Sequence, residues 1–326
     1  MAATEQAQEW RELEEGEETE PEEVLPNGTI ILGDREITQT MCTRQYKWDY
    51  SKVMDPNIDY GSSCSIHRVK SGVIVKVPRR MWWSGGPDDV SDLGNHDKAS
   101  FEREEKILDR LGVHPRIVHY LGLSEYPRGL LFKEANHGAL WEYIKSKDNK
   151  IEFSLRLKWR SQAAEAVQYL HQNGIIHCDI RPDNFLLHGN SEQNLDLLIC
   201  DFGGSSIDGQ KGGTHPSAGF GNPNNEPHKL GLKAYGPAMD IFALGSTFYV
   251  IMTGYYPHRS SRRELWTTKD VFGYEAMVER RFDIKDFPPT ENLVGGNVIM
   301  GCWSDHYHDM EAMIQAQDDC FAKLGL

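Results

Sequence analysis

The sequence predicts an α+β fold in two parts: a smaller strand-rich part with one helix, then a larger helix-rich part. Short β-branched and apolar runs dominate from Ile30 to Phe132, whereas apolar residues at helical spacing dominate after Gly138. Asn136-His137-Gly138 separates the two and marks a hinge near 134–138. The expected organisation is an acidic tail over 1–25, a first lobe over 26–135 and a second lobe over 136–326.

Each element has its own signal. Residues 1–25 hold ten Glu and one Arg, a net charge of −9. A stretch so charged and so poor in apolar residues reads as a disordered, solubilising tail, with a docking segment as the competing reading. Val73-Ile74-Val75-Lys76-Val77 is the clearest strand. Residues 79–99, with their Gly, Asp and Pro content, read as loop. Phe101 to Leu111 has helical spacing, and Ile117-Val118 and Leu130-Leu131-Phe132 read as further strands. In the second lobe Ser154 is the expected N-cap of a helix with Leu155, Trp159, Ala163, Val167 and Leu170 on one stripe, stopped by Gly174. Ile175-Ile176 and Leu197-Leu198-Ile199 are short strands. Residues 203–237 hold nine glycines and form a long irregular segment of the kind that usually carries function. Helices resume at Asp240, and the twelve-residue apolar run Ile241–Met252 fits a buried core helix rather than a bilayer span.

Composition narrows the function classes. A chain of 326 residues can bury about three quarters of its unfolded surface, so a full core is expected. The net charge of −14 falls to −5 once the tail is set aside. The basic clusters Lys76 to Arg80 and Arg259 to Arg263 are too short for a nucleic-acid surface, so no nucleic-acid partner is expected. Six cysteines, at 42, 64, 178, 200, 302 and 320, form no CxxC pair, which argues against a zinc ribbon and for reduced thiols. The first residues lack a signal-peptide pattern. The expectation is therefore a monomer of the cytoplasm or nucleus, with no membrane insertion.

Three clusters carry chemistry. His177-Cys178-Asp179-Ile180-Arg181-Pro182-Asp183-Asn184 follows one short strand, Asp201-Phe202-Gly203 follows another, and Lys76 stands alone in a β-branched strand. Phosphoryl transfer from ATP needs metal ligands, a cation on the phosphates and a carboxylate to orient the acceptor hydroxyl. Asp201 and Asn184 offer the oxygen ligands that Mg²⁺ takes. Asp179 can accept the substrate proton, Arg181 can neutralise the transferring phosphate, and Lys76 can reach the α- and β-phosphates. Glu104 lies on the apolar face of its helix with Phe101, Ile107, Leu108 and Leu111, where a carboxylate needs a partner, and it is chosen to pair with Lys76 over the alternatives of Glu105 or a half-exposed, unpaired Glu104. Against this stands the reading of surface carboxylates and a snorkelling lysine.

These motifs, in this order, resemble a eukaryotic-type protein kinase from about Ile58 to the C-terminus. Asp240-Ile241-Phe242-Ala243-Leu244-Gly245 is similar to the start of the kinase F helix, whose aspartate anchors the catalytic-loop backbone. His-Cys-Asp with Asp-Phe-Gly-Gly-Ser looks like kinase-like domains of filamentous fungi. The resemblance implies a two-lobed protein-kinase-like fold, with a small antiparallel β-sheet lobe holding one helix and a larger helical lobe. It also implies ATP and Mg²⁺, and a protein substrate. It places Gly61, Ser62, Ser63, Ile66 and Ile74 around the nucleotide with Lys76, Asn184 and Asp201. It also sets Lys133 at the gatekeeper position behind the adenine, with Glu134 the first hinge residue. Arg181-Pro182 resembles the Lys-Pro of Ser/Thr kinases.

The departures from the family pattern have consequences. Of three expected loop glycines only Gly61 remains, leaving Ser62, Ser63 and Ser65 as substitute donors to phosphate. Cys178 replaces the arginine that kinases use to bind an activation-loop phosphate, which implies activity independent of that phosphate. Glu226 is the candidate for the glutamate of the Ala-Pro-Glu motif, and the arginine expected after Cys302-Trp303 is missing. Cys200, just before Asp201, is a candidate for pocket-directed electrophiles, against the reading of a buried, inert thiol. His177 is read as structural. The leading reading is an active Ser/Thr protein kinase. The alternatives are a pseudokinase acting as a binding or scaffold module, and a small-molecule kinase.

Overall fold

The computed structural model describes residues 64–78, 95–126, 128–213, 216–225, 235–261, 267–323 and 325, together with five short strands before residue 61. Three of those strands, β1 (Glu23–Val24), β2 (Ile30–Leu32) and β3 (Arg35–Ile37), form an antiparallel ribbon. The ribbon starts inside the stretch whose composition reads as a tail.

The first lobe is a six-stranded sheet. Its members are β4 (Tyr46–Lys47), β5 (Asp59–Tyr60), β6 (Cys64–Lys70), β7 (Val73–Pro78), β8 (Tyr120–Tyr126) and β9 (Arg128–Lys133), in the order β4-β8-β9-β7-β6-β5. All neighbours are antiparallel except the short pair β4–β8. The register decides what each face presents. Ile66 lies opposite Lys76, Arg68 opposite Ile74, Ile74 opposite Phe132, and Lys76 opposite Leu130, so these six share one face. Val69, Val75, Val77 and Leu131 pack together on the other. The first face meets helix α1 (Asn95–Leu111), whose Ile107, Leu108 and Leu111 join Leu130 and Phe132 in the main core. Lys76 is thereby aimed between sheet and helix, toward the second lobe.

The second lobe is built from α2 (Leu140–Lys147), α3 (Phe153–Gln172), α4 (Pro237–Thr253), α5 (Thr268–Asp283), α6 (Gly296–Trp303) and α7 (Met310–Ala322). Two small two-stranded antiparallel sheets belong to it: β10 (Ile175–Ile176) pairs β13 (Ser206–Ile207), and β11 (Phe185–His188) pairs β12 (Asp196–Ile199). The stripe Leu155, Trp159, Ala163, Val167 and Leu170 is buried as its spacing predicts. Helix α4 is buried on almost every side, which explains its continuous apolar run. Arg160 of α3 lies between the rings of Phe248 and Phe321, at 4.7 and 5.3 Å, and ties α7 to α3 and α4. No described helix is long and apolar enough to cross a membrane.

Several boundaries differ from expectation. Ile117-Val118 is not a strand. Ile117 makes one isolated parallel bridge to Ile199, and the ladder begins at Tyr120, because this turn bonds to the second lobe instead of to the sheet. Residues 95–99, expected as loop, open α1. Ser154 is not the cap: the amides of Leu155 and Arg156 both donate to the Glu152 carbonyl, so the helix closes earlier and Glu152 takes the cap position. Helix α4 starts at Pro237, where a residue without an N–H costs no helical hydrogen bond.

Helices α4 and α6 pack closely because Gly245 carries no side chain. A Cβ there would lie 2.6 Å from Cys302 Cβ and 3.3 Å from the Ile299 carbonyl oxygen. Gly245→Ala is expected to destabilise the chain by about 1–3 kcal/mol through overpacking, despite the better helix propensity of alanine. The check is the urea unfolding midpoint of the full chain.

Candidate active site

The site is built on one buried carboxylate. Asp240 lies in the first turn of α4 and is fully buried. Its Oδ2 accepts from the His177 amide at 2.7 Å and its Oδ1 from the Cys178 amide at 2.9 Å. His171 Nε2 lies 3.0 Å from Oδ2. A buried carboxylate is tolerable only when its oxygens are hydrogen-bonded, and here two successive backbone N–H groups do it. Holding both forces the backbone to turn, and Cys178 adopts φ 69°. That region is costly for a residue other than glycine and persists only where the surroundings impose it. His177 is held from both ring atoms. The Asp179 amide donates to Nδ1 at 3.3 Å, so Nε2 carries the proton and donates to the Cys200 carbonyl at 3.0 Å. His177 therefore serves as a structural link, and its ring packs edge-on against Phe202 at 5.4 Å.

This loop presents Asp179. Asn184, at the end of the short turn Pro182–Asn184, donates through Nδ2 to the Asp179 carbonyl at 2.8 Å and to Asp179 Oδ2 at 3.0 Å. Asp179 Oδ1 is buried and has no hydrogen-bond partner among the described residues. Burial pushes the Asp179 carboxyl above the ordinary carboxylate range, although Arg181 and His177 oppose the shift. Arg181 is paired with Asp183 at 3.0 Å and donates to Ser217 Oγ at 2.6 Å. Burial alone would lower the Arg181 guanidinium, and Asp183 more than offsets it. Tyr256 completes the group by donating to Asp183 at 2.6 Å.

Lys76 closes the other side. Its ammonium lies 2.7 and 2.9 Å from the two oxygens of Glu104 and 2.7 Å from Asp201 Oδ1. Burial alone would lower the lysine, but Asp201 and Glu104 outweigh it and hold Lys76 well above its ordinary value. The same lysine holds Asp201 below the usual carboxylate range. Burial pushes Glu104 up, against the pull of Lys76. Asp201, at φ 67°, turns a half-exposed carboxylate into the cleft. Cys200 beside it donates through Sγ to the Asn184 carbonyl at 3.4 Å, and burial pushes its thiol up. That environment favours the inert thiol over the reactive one.

Residues 89–314 match the protein kinase domain. The chain belongs to the protein kinase family. Among similar proteins, calcium/calmodulin-dependent protein kinase type I of Schizosaccharomyces pombe is 33% identical over 165 residues, 49% of this chain and 49% of that one. The SNF1-related protein kinase catalytic subunit alpha KIN12 of Arabidopsis thaliana is 31% identical over 171 residues, 52% of this chain and 33% of that one. Serine/threonine-protein kinase dkf-2 of Caenorhabditis briggsae is 32% identical over 162 residues, 47% of this chain and 13% of that one. The matched stretch thus spans about half or less of the length of these kinases.

Against this kinase frame, most of the expected site residues converge on one cleft. Lys76, Glu104 and Asp201 meet in one ion cluster, and Asp179, Arg181 and Asn184 meet on one loop. Ile66 and Ile74 share the cleft face of the sheet with Lys76. Gly61, Ser62, Ser63 and Glu226 lie outside the described residues. Lys133 is a correction. It is exposed and sits on the face opposite to Lys76, because strand alternation from Leu130 puts Phe132 on the cleft side. Phe132, 6% exposed and tilted against the Tyr120 ring at 5.7 Å, occupies the place expected for Lys133. Counting alternate residues along Leu130-Leu131-Phe132-Lys133 finds it without a structure. Glu134 pairs with Arg68, and its amide donates to the Gly72 carbonyl at 2.8 Å, which clamps the hinge to the β6–β7 turn. Asn222, Asn224 and Asp305, which bond to one another across the second lobe, carry no motif that sequence reasoning could have found.

Asp240→Asn replaces one acceptor by a donor and leaves one of the two loop amides without a partner. It is expected to cost about 1–3 kcal/mol of stability, read as a lower urea midpoint, and to increase hydrogen exchange at His177 and Cys178.

Proposed function

We propose that this kinase domain transfers the γ-phosphate of ATP to Ser or Thr hydroxyls of protein substrates with the help of Mg²⁺. The observation that carries the proposal is Asp179 Oδ1, a buried carboxylate oxygen left open beside the closed Lys76–Glu104–Asp201 cluster. A group with that geometry can accept the proton of an acceptor hydroxyl. In the step, the hydroxyl oxygen forms a bond to the γ-phosphorus, the bond from that phosphorus to the bridging oxygen breaks, ADP leaves, and the hydroxyl proton passes to Asp179.

The other residues position and neutralise. Glu104 fixes Lys76, which holds the α- and β-phosphates. Arg181 offsets charge developing on the transferred group. Asn184 uses its Nδ2 on Asp179, which leaves its amide oxygen to act with the Asp201 carboxylate as a hard oxygen pair that fits Mg²⁺. Bound there, Mg²⁺ would supply charge neutralisation on the phosphate oxygens. Gly61, Ser62, Ser63, Ile66 and Ile74 are proposed to border the nucleotide, with the hinge backbone around Lys133 and Glu134 on the adenine side. The names of relatives such as serine/threonine-protein kinase dkf-2, and the contact between Arg181 and Ser217, support the Ser/Thr assignment.

The test is transfer of labelled γ-phosphate from Mg-ATP to the protein itself and to generic Ser/Thr acceptors, with Asp201→Asn as control. Label that vanishes in the control is the expected result. No label in either protein, with both folded, would overturn the transfer and favour the scaffold alternative. Asp179→Asn is expected to lower transfer by about 10² to 10⁴ while nucleotide affinity stays near wild type. The pH profile carries a sign. The base acts ionised, so kcat falls as pH drops through the Asp179 pKa. Because burial raises that pKa, the acid limb is expected above the ordinary carboxylate value of about 4. Rates measured from pH 4 to 8 check it, and a limb at or below 4 would contradict the assignment.

A further inference from the structure

We propose that Asp305 is the positioning residue for the substrate-docking segment, through a clamp on Asn222 and Asn224 whose polarity is opposite to the acid–arginine pair expected at this place. The kinetic arm of this proposal rests on the proposed function; its structural arm does not.

The segment over 216–225 is held at four points. Arg181 donates to Ser217 Oγ at 2.6 Å, which links it to the loop that carries Asp179. Ser246 of α4 donates to the Gly219 carbonyl at 2.5 Å and accepts from Trp303 Nε1 at 2.8 Å. Phe220 is fully buried, edge-on to Tyr256 at 5.6 Å. At the far end Asn222, only 2% exposed, donates through Nδ2 to Asp305 Oδ1 at 2.5 Å. The Asn222 oxygen accepts from the Asn224 amide at 2.9 Å, and Asn224 Nδ2 donates to Asp305 Oδ2 at 2.9 Å. Both oxygens of Asp305 therefore take amide donors from one stretch of chain, and both ends of the Asn222 amide are used.

Asp305 lies in the connection between α6 and α7, at φ 54°, with the next amide, His306, bonded to the Gly301 carbonyl at 2.9 Å. This fixes the carboxylate on the rigid end of α6. The family pattern expects an acid on the segment and an arginine on the lobe. Here the acid is on the lobe and the segment supplies neutral donors. A fully satisfied buried amide bonded to a charge is specific to one register, so the clamp sets where the segment starts its run toward Ser217. A carboxylate at position 224 would face the Asp305 carboxylate in place of the donor that Asn224 now supplies. Asn224→Glu is therefore expected to harm this chain.

The test uses the full chain and two readouts: hydrogen exchange over 216–225, and steady-state phosphorylation of a generic Ser/Thr peptide. Asn224→Glu is expected to raise exchange across the segment and to raise the peptide KM about tenfold, with the ATP KM changed less than about twofold. Asn224→Glu with Asp305→Arg is expected to recover protection and peptide KM relative to Asn224→Glu alone. Unchanged exchange in Asn224→Glu, or a double variant no better than the single, overturns the proposal. Should arginine at 305 prevent folding, the cycle of Asn224→Ala and Asp305→Ala decides. Losses in exchange protection that fail to add support the clamp, and losses that add overturn it. If the wild type transfers no phosphate, the exchange arm still judges the clamp and only the proposed function fails.

Discussion

The pair of backbone amides held by Asp240 is the constraint on which the cleft depends. A helix buried on nearly all sides carries one fully buried acid, and that acid is satisfied by the amides of His177 and Cys178. The strained turn at Cys178 would relax without it. Because the turn is fixed, Asp179 faces the cleft, His177 reaches the Cys200 carbonyl, and the backbone leading into Asp201 is set. From there the chain of contacts crosses lobes: Asp201 bonds Lys76, and Lys76 bonds Glu104 on α1. One carboxylate in the most buried helix thus fixes the position of a lysine on the other lobe.

The stretch directly after Asp201 keeps its course through contacts with α1, and position 178, where the family carries an arginine, is a cysteine. Arg103 of α1 donates to the Gly203 carbonyl at 3.0 Å, and Arg110, seven residues on and so on the same helix face, makes two bonds to Asp208 at 2.7 and 2.8 Å. The loop can come this close because it is glycine there. A Cβ at Gly213 would lie 2.7 Å from Arg103, and one at Gly212 would lie 3.3 Å from Cys178 Sγ. Cysteine in place of the expected arginine is a small residue in a space that the glycine backbone fills. The arginines of α1 hold this stretch by direct contact with its backbone and with Asp208.

Much of this was legible in the sequence for identifiable reasons. Lys76, Glu104, Asp179, Asn184 and Asp201 each sit where residue type, strand or helix context and spacing agree, and the apolar run of α4 announced its burial. The failures have physical causes too. Lys133 was misplaced because position along the chain outweighed strand alternation. Ser154 was misread as a cap because a good capping residue one step inside a helix looks the same in sequence. Asn222, Asn224 and Asp305 were hidden because their meeting joins residues more than 80 positions apart, and none has a charge partner in the expected pattern. Glu226, the candidate for the family's glutamate, lies outside the described residues, and the described part of the segment is held through amides.

The charge arrangement of the cleft bears on the proposed chemistry. Lys76 and Arg181 are its named cations, and each is already tied to a carboxylate: Lys76 to Glu104 and Asp201, Arg181 to Asp183. With Asp179 added, four carboxylates stand against two cations. Such a surface does not attract a polyphosphate by itself. Under the proposed function, Asp201 and Asn184 would hold a divalent cation, whose charge would offset the carboxylate excess toward phosphate. Under the proposed function, nucleotide and metal therefore bind as a unit. The buried Asp179 oxygen that has no partner among the described residues is, under the proposed function, the one open to the acceptor hydroxyl, since Glu104, Asp183 and Asp201 are each paired with a cation.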